Sequence, residues 1–365
     1  MRICHLFIVL LLCSCVSESL EKAKLDLELD RDPTDYLFMD DVFAAKEWIV
    51  LDSAKEAIVS TCSKIETDKD GNIYVLDKVK SKCVFLFDKE GKFIDKIGVC
   101  GKGRGEYPII RDFTIEPKNG NVLVLGGYST VYVYDKKGSF LESKTLSKAN
   151  FWNIHADDQG VFLSTNHSTE VEGENAYLLY EYDFSLNYVG KWNPVLPQYM
   201  GVAPLSSFVF QGTKTGLSYI DEKQNRIYLY DSRNKDFSGF VSLSFPRPRP
   251  LSHYRDAMLF MEKSNQQKYD WLCDVLMSKK KIVVTYFHQG KFCMAVADMK
   301  TGKVLKEGLL VGSFSHCYPL PDGDFLVAVT PEEFVNDGAW KRFPVQPERK
   351  IKETDNLLLV KLSIK

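Results

Sequence analysis

The chain has 365 residues, with 47 lysines and arginines against 49 aspartates and glutamates, and a formal net charge of −2 at pH 7. This balance argues against a nucleic-acid partner, because general attraction to phosphate needs a basic surplus. The length exceeds what most single hydrophobic cores hold, but a ring of repeated units escapes that limit because each unit adds its own core.

The first residues have the pattern of an export signal. Arg2 supplies a positive start, and Leu6 to Leu12 form an unbroken apolar run. A helix needs about 20 apolar residues to cross a bilayer, and charged residues follow from Glu18. We therefore predict that residues 1–14 are a signal peptide that is removed.

The residues Leu12-Cys13-Ser14-Cys15 resemble a lipobox, in which leucine and a small residue precede a cysteine that is diacylated. Two acyl chains anchor a protein stably, whereas one holds it only marginally. Cys15 is therefore the predicted lipidation site, and residues 15–43 the linker to a folded domain of residues 44–365. The lipid would hold the protein on a membrane of the cell envelope, here expected to be the outer membrane. The alternative is a soluble secreted protein with Cys15 an ordinary cysteine.

A repeat of nearly fifty residues runs through the rest of the chain. Apolar strands that end in aspartate recur 47, 48 and 48 residues apart, at Asp88, Asp135, Asp183 and Asp231. A fifth copy ends at Asp298 after 67 residues. We assign the excess to an insertion at residues 246–266, where alternating prolines precede a predicted helix from Ser252 to Ser264.

Each repeat contains two turn signals and is predicted to form four antiparallel strands. The first signal is Asp70-Gly71-Asn72, in which glycine and asparagine accept positive φ angles. The second follows the marker aspartate, as in Asp88-Lys89-Glu90-Gly91. For the first repeat, the predicted strands are residues 61–67, 72–76, 83–88 and 92–97.

The last unit is predicted to combine the two ends of the chain. Ser313 to Thr330 supplies two strands, Leu357 to Leu362 a third, and Glu47 to Asp52 the fourth. Such a shared unit closes the ring and leaves no open sheet edge between first and last units. The prediction is an all-β fold: a six-bladed β-propeller of four-stranded antiparallel blades, with its last blade closed by an N-terminal strand.

Two stretches of the first repeat resemble a known family. They are Phe85 to Ile94 and Ile97 to Tyr107, and they are similar to six-bladed β-propeller lipoproteins of Bacteroides-type bacteria, related to NHL-repeat propellers. In that family the second stretch usually reads Gly-Pro-Gly-Glu-Tyr, whereas Arg104 replaces the proline here. The resemblance implies the fold, lipidation and an envelope location, but no particular chemistry.

Six cysteines follow Cys15: Cys62, Cys83, Cys100, Cys273, Cys293 and Cys317. Cys62 and Cys83 fall on the first and third strands of one blade, about 9 to 10 Å apart, and a disulfide tolerates Cα separations only to about 7 Å. The same objection applies to Cys273 and Cys293. We expect free, buried thiols. No Cys-x-x-Cys or paired histidine spacing appears, so neither a metal nor a cofactor is predicted.

The predicted binding site lies at one mouth of the central channel, where loops from every blade converge. Arg111 and Asp112 fall near the start of one inner strand and Trp152 near the next, while His155 and His316 are expected to face the channel. A guanidinium fixes a carboxylate or a sugar hydroxyl, and an indole stacks on a ring. The alternative is an internal ion pair, a packed aromatic ring and structural histidines.

Two functions fit this sequence. The preferred one is a non-catalytic envelope module that recognises a peptide, glycan or protein through the mouth. The alternative is a metal-dependent hydrolase or lyase, like the lactonases that use this architecture, which would need three or four Asp, Glu or Asn side chains on the channel axis. The marker aspartates do not supply them, because they end the third strand of each blade, away from the axis.

Overall fold

The structure is a computed structural model that describes residues 24–29, 32–127, 129–146, 149–167, 176–196, 199, 209–213, 216–250, 269–312 and 317–365. The predicted signal peptide, Cys15, the predicted helix from Ser252 to Ser264, and His316 lie outside these ranges. Within them the chain forms six sheets, and helices are limited to a few short turns. The six sheets are the blades of a propeller, which confirms the predicted fold class.

The N-terminal part of the described chain supplies three strands before the first complete blade begins. Its elements are β1 (Leu25–Glu28), β2 (Tyr36–Phe38), α1 (Met39–Val42), β3 (Phe43–Val50) and a 3-10 turn (Lys55–Ala57).

Blades 1 to 3 follow one another along the chain, each with its innermost strand first. Blade 1 contains β4 (Lys64–Thr67), β5 (Ile73–Asp77), β6 (Cys83–Phe87) and β7 (Phe93–Ile97). Blade 2 contains β8 (Ile110–Ile115), β9 (Val122–Gly126), β10 (Thr130–Tyr134) and β11 (Phe140–Thr145). Blade 3 contains β12 (Asn153–Ala156), β13 (Val161–Ser164), β14 (Tyr177–Tyr182) and β15 (Tyr188–Pro194).

Blades 4 and 5 have the same internal order, and blade 6 uses both ends of the chain. Blade 4 contains β16 (Phe210–Thr213), β17 (Gly216–Asp221), β18 (Arg226–Asp231) and β19 (Asp236–Ser244). Blade 5 contains β20 (Trp271–Met277), β21 (Lys281–His288), β22 (Lys291–Asp298) and β23 (Val304–Val311). Blade 6 contains β24 (Cys317–Pro319), β25 (Phe325–Val329), β26 (Leu358–Ile364) and β3, with α2 (Pro331–Asn336) and a 3-10 turn (Trp340–Arg342) between β25 and β26.

The ring is closed by β3, as predicted. This strand pairs antiparallel with β26, with Phe43 opposite Ile364 and Val50 opposite Leu358. It starts four residues earlier than the predicted Glu47. Trp48 packs this strand against the segment between β25 and β26, because its ring makes edge contacts with Phe334 and Trp340.

Part of the segment predicted as a linker belongs to the fold. β1 adds a parallel fifth strand to the outer edge of blade 4, and β2 does the same for blade 5. Leu27 and Leu37 anchor these strands in the core, being 0% and 7% exposed. Strands of three and four residues carry too short an alternation of apolar and polar residues to stand out in a sequence.

The marker aspartates cap the turns between third and fourth strands. Asp88 accepts hydrogen bonds from the backbone N–H of Glu90 and Lys92, at 3.0 and 2.8 Å. The turn glycine then packs on the neighbouring blade: Gly91, with φ of +87°, lies so close that a Cβ there would stand 2.8 Å from the Val50 carbonyl oxygen in β3. The repeat that predicted the fold is therefore also where one blade contacts the next.

All six cysteines after Cys15 are described and free, which confirms the absence of disulfides among them. Burial was predicted correctly for Cys83, Cys293 and Cys317, and wrongly for Cys62, Cys100 and Cys273, which are partly exposed. Among the described residues there is also no helix of the length and apolarity that crossing a membrane requires.

Candidate functional site

Every inner strand begins on the same face of the propeller, which we call the mouth face, and ends on the opposite one, the turn face. Because neighbouring strands in a blade run antiparallel, the mouth face also carries the loops between second and third strands. Arg111 and Trp152 lie there, near the starts of β8 and β12.

The structure brings Arg111 and Trp152 together across the junction of blades 2 and 3. The guanidinium carbon of Arg111 lies 4.1 Å from the centre of the Trp152 ring, and Arg111 Nε donates a hydrogen bond to the Gly127 carbonyl oxygen at 2.5 Å. Arg111 is the extra residue of a β-bulge between Ile110 and Asp112. Bulges re-aim a side chain, and this one places the Arg111 guanidinium against Trp152 at the mouth face.

Asp112 has a different set of contacts. Its carboxylate lies 3.2 Å from Lys64 Nζ and accepts a hydrogen bond at 3.0 Å from the backbone N–H of Ile154, on the inner strand of blade 3. The residue is only 2% exposed. Asp112 therefore joins three inner strands within the channel wall, and its charge is directed at Lys64.

Lys64 is the centre of this network and was not singled out from the sequence. Its Nζ lies 2.9 Å from Glu66 Oε1 and donates hydrogen bonds to the carbonyl oxygens of Phe113 and Ile154, at 2.6 and 3.1 Å. Although burial opposes the charge, Asp112 and Glu66 raise the pKa of Lys64. The sequence did contain a signal for this network. Lys64 and Glu66 are separated by one residue on an inner strand, and alternate strand residues share a face.

Lys78 adds another positive charge near the mouth face, in the loop after β5. Burial lowers the pKa of Lys78, and Lys64 and Arg111 lower it further, whereas Asp112 opposes them. Glu66 is the second carboxylate of this group, and the fully buried Asp77 precedes Lys78 at the end of β5. Cations and carboxylates are therefore interleaved on this side of the mouth.

His155 lies on β12 and faces the inner strand of blade 4. Its ring stacks on Phe210 with centroids 6.1 Å apart, and Nε2 is inaccessible to solvent without a hydrogen-bond partner. Burial, with a contribution from Lys64, lowers the pKa of His155 to about 3, so the ring is neutral near pH 7. His155 is thus placed between two blades rather than beside Arg111.

The contact of Lys64 with the Asp112-Phe113 pair, which joins blades 1 and 2, recurs between blades 4 and 5 with one side chain replaced. Asp274 also follows a β-bulge, and its carboxylate accepts a hydrogen bond from the Val275 N–H at 2.8 Å, as Asp112 does from the next residue. Gln211 donates to the Val275 carbonyl oxygen, where Lys64 donates to that of Phe113 in blade 2. The channel wall is therefore built from the same contact twice, with an amide replacing the ammonium.

The metal-dependent alternative requires several ligating side chains grouped together. Over the described ranges, no three His, Cys, Asp or Glu side chains are grouped so that they could hold a metal ion. A cleft of about 200 Å³ opens on the turn face beside Asp322 and Asp324. Lys361 lies 2.7 Å from Asp322, and Lys46 lies 2.6 Å from Asp324. These aspartates are already paired.

The fold is shared with a solved structure of very different sequence. A Bacteroides fragilis protein described as exported has a TM-score of 0.74 at 15% identity, with 93% of this chain and 99% of that one covered. The WD40 repeats of RRP9 give 0.48 at 11% identity, covering 88% and 99%. A Bacteroides caccae protein of unknown function gives 0.39 at 14% identity, covering 68% and 81%. At 15% identity, the likeness to the Bacteroides fragilis protein shows a common fold only.

None of the curated proteins matches the chain. A family model described as "Domain of unknown function (DUF4934)" matches residues 25–363, which includes the strands β1 and β2 on the outer edges of blades 4 and 5. The chain belongs to this DUF4934 family.

Proposed function

We propose that the protein is a non-catalytic binding module of the cell envelope that recognises a carboxylate-bearing ligand at the mouth face. One observation carries the proposal: at the mouth face, the guanidinium carbon of Arg111 lies 4.1 Å from the centre of the Trp152 ring, and its Nε donates to the Gly127 carbonyl oxygen. A guanidinium matches a carboxylate with two parallel hydrogen bonds.

The site is fixed before any ligand arrives. The Trp152 ring packs against the Arg111 guanidinium, and the Gly127 carbonyl oxygen accepts a hydrogen bond from its Nε. A side chain ordered in advance loses little entropy on binding, so more of the interaction energy remains as affinity. Acidic peptides, acidic glycans and acidic protein segments all carry the group that this site fits.

We further propose that Cys15 carries the lipid and that the protein is held on the outer membrane. The support is the apolar run from Leu6 to Leu12 and the residues Leu12-Cys13-Ser14-Cys15. The structural relative from Bacteroides fragilis is itself described as exported. β1 begins at Leu25, so a lipid at Cys15 would be attached ten residues before this strand.

Calorimetric titration with two probes, trigalacturonate and a triglutamate peptide, tests the carboxylate site. We expect Arg111→Met to weaken binding of the preferred probe by about tenfold or more, since a charged hydrogen bond is worth about 1.5–3 kcal/mol. Arg233→Met is the matched control, because Arg233 is exposed on the turn face. Wild-type protein that binds neither probe, or equal affinity in wild type and Arg111→Met, would refute the proposal.

A further inference from the structure

Two loops on the mouth face, where blade 1 meets blade 2, carry a cluster of exposed cations. They are residues 78–82, between β5 and β6, and residues 98–109, which lead from β7 to β8. We call these two loops the basic rim. Four of its exposed side chains are positively charged: Lys80, Lys82, Lys102 and Arg104. None of these four forms an ion pair with a residue that the structure describes.

The carboxylates near the basic rim do not cancel this charge. Asp77 completes the group around Lys64 described above, in which three cations face three carboxylates, so that group is balanced. Within the rim the sequence has one carboxylate, Glu106, which accepts a hydrogen bond from the Gly103 N–H at 2.7 Å. Four exposed cations therefore stand against one carboxylate, in a chain whose net charge is −2.

Aliphatic side chains lie among these cations. Val79, Val99 and Ile109 are 66%, 54% and 46% exposed, and all three belong to the basic rim. A single exposed aliphatic residue needs no explanation, whereas a group of them marks a surface on which another molecule packs. The basic rim thus offers both positive charge and apolar surface to a partner.

Hydrogen bonds join the two loops and connect them to Arg111. The Tyr107 hydroxyl of the second loop donates to the Lys82 carbonyl oxygen of the first at 3.0 Å. The Gly127 N–H donates to the Ile109 carbonyl oxygen at 3.0 Å, and the Gly127 carbonyl oxygen accepts from Arg111 Nε. The basic rim and Arg111 are therefore parts of one continuous surface.

We propose that the basic rim binds an acidic protein segment that also carries apolar side chains, and that one carboxylate of this segment reaches Arg111. This inference rests on the proposed function and specifies its ligand. The exposed lysines and Arg104 complement the carboxylates of such a segment. Val79, Val99 and Ile109 remove its apolar side chains from water, which is favourable. An acidic glycan has no aliphatic side chains to bury there, so the rim favours a protein segment.

The test compares two nine-residue peptides by calorimetry on the whole protein, one repeating Glu-Glu-Leu and the other Glu-Glu-Ser. We expect the leucine peptide to bind wild type about fivefold more tightly than the serine peptide does. Ile109→Ser should weaken binding of the leucine peptide about fivefold and leave the serine peptide unchanged. Ile94→Ser is the matched control, since Ile94 is an isoleucine of β7 outside the rim and is 50% exposed.

The charges of the basic rim are tested with the same peptides. Lys82→Gln combined with Arg104→Gln should weaken binding of both peptides and make their affinities less dependent on salt concentration, because two exposed cations are lost. Lys92→Gln is the control, since Lys92 is an exposed lysine in a loop of the turn face. It should change neither affinity.

Three results would overturn binding of a protein segment at the basic rim: equal affinities of wild type for the two peptides, an unchanged affinity of Ile109→Ser for the leucine peptide, or phosphatidylglycerol vesicles that need Ile109 when the peptides do not. The outcomes separate the two proposals. If triglutamate binding depends on Arg111 but the leucine peptide gains nothing, the assignment of the basic rim alone is wrong. If Arg111→Met binds triglutamate as wild type does, the carboxylate site is wrong.

Discussion

Replacing Gly91 with alanine tests how blade 1 packs on the closing strand. Gly91 has φ of +87°, and a Cβ there would lie 2.8 Å from the Val50 carbonyl oxygen and 2.9 Å from the Ile49 side chain. The left-handed conformation costs a residue with a Cβ about 1–2 kcal/mol. Overpacking against a strand that must then move costs about 1–3 kcal/mol more. We therefore expect Gly91→Ala to lose about 2–5 kcal/mol of unfolding free energy.

Gly323→Ala supplies the control for that prediction. Gly323 has φ of +90°, but no atom lies within 4 Å of the position its Cβ would take. The variant should therefore lose only the conformational term, about 1–2 kcal/mol. Urea unfolding followed by circular dichroism measures both values. If the two variants lose the same stability, the Gly91 turn does not pack on β3 and the described contact between blades 1 and 6 is wrong.

Four further predictions address the N-terminal segment, the channel and the thiols. Leu27→Ala should cost about 2–5 kcal/mol in urea unfolding, because the side chain is fully buried, and Leu25→Ala, at a partly exposed position of the same strand, should cost clearly less; equal losses would show that β1 does not pack as described. The lowered pKa of His155 means that the unfolded chain takes up its proton first, so stability should fall as the pH drops from about 6.5 towards 3; His155→Phe should flatten that fall, and an unchanged slope would contradict the buried, neutral ring. Thiol titration of unfolded, unreduced mature protein should detect the six described cysteines, and finding none reactive would contradict the absence of disulfides. Metabolic labelling with a tagged fatty acid should mark the wild type and not Cys15→Ala, and equal labelling would exclude Cys15 as the lipid site.

The propeller fold could be predicted from the sequence because each repeat carries its signal within a short stretch of chain. Each marker aspartate caps a turn within a few residues, so its spacing appears directly in the sequence. The closing strand could be found because five complete units left three strands at one end of the chain and one at the other. The parallel strands β1 and β2 could not, since three or four residues carry little periodicity and their partners are more than two hundred residues away.

The site was harder to predict because its contacts cross between blades. Arg111 and Asp112 are neighbours in sequence, which suggested a pair, but adjacent strand residues point to opposite faces. The structure instead directs Asp112 to Lys64, 48 residues earlier, and places Arg111 on Trp152, 41 residues later. Such partners depend on how blades stack, and a single sequence does not contain that information.

Hydrogen exchange measured by mass spectrometry, with and without trigalacturonate, locates a bound carboxylate directly. The proposed site predicts slower exchange in the mouth-face segments around Arg111 and Trp152, with the turns after the marker aspartates unchanged. Slower exchange confined to those turns, or no change anywhere at a saturating concentration of trigalacturonate, would contradict recognition at the mouth face.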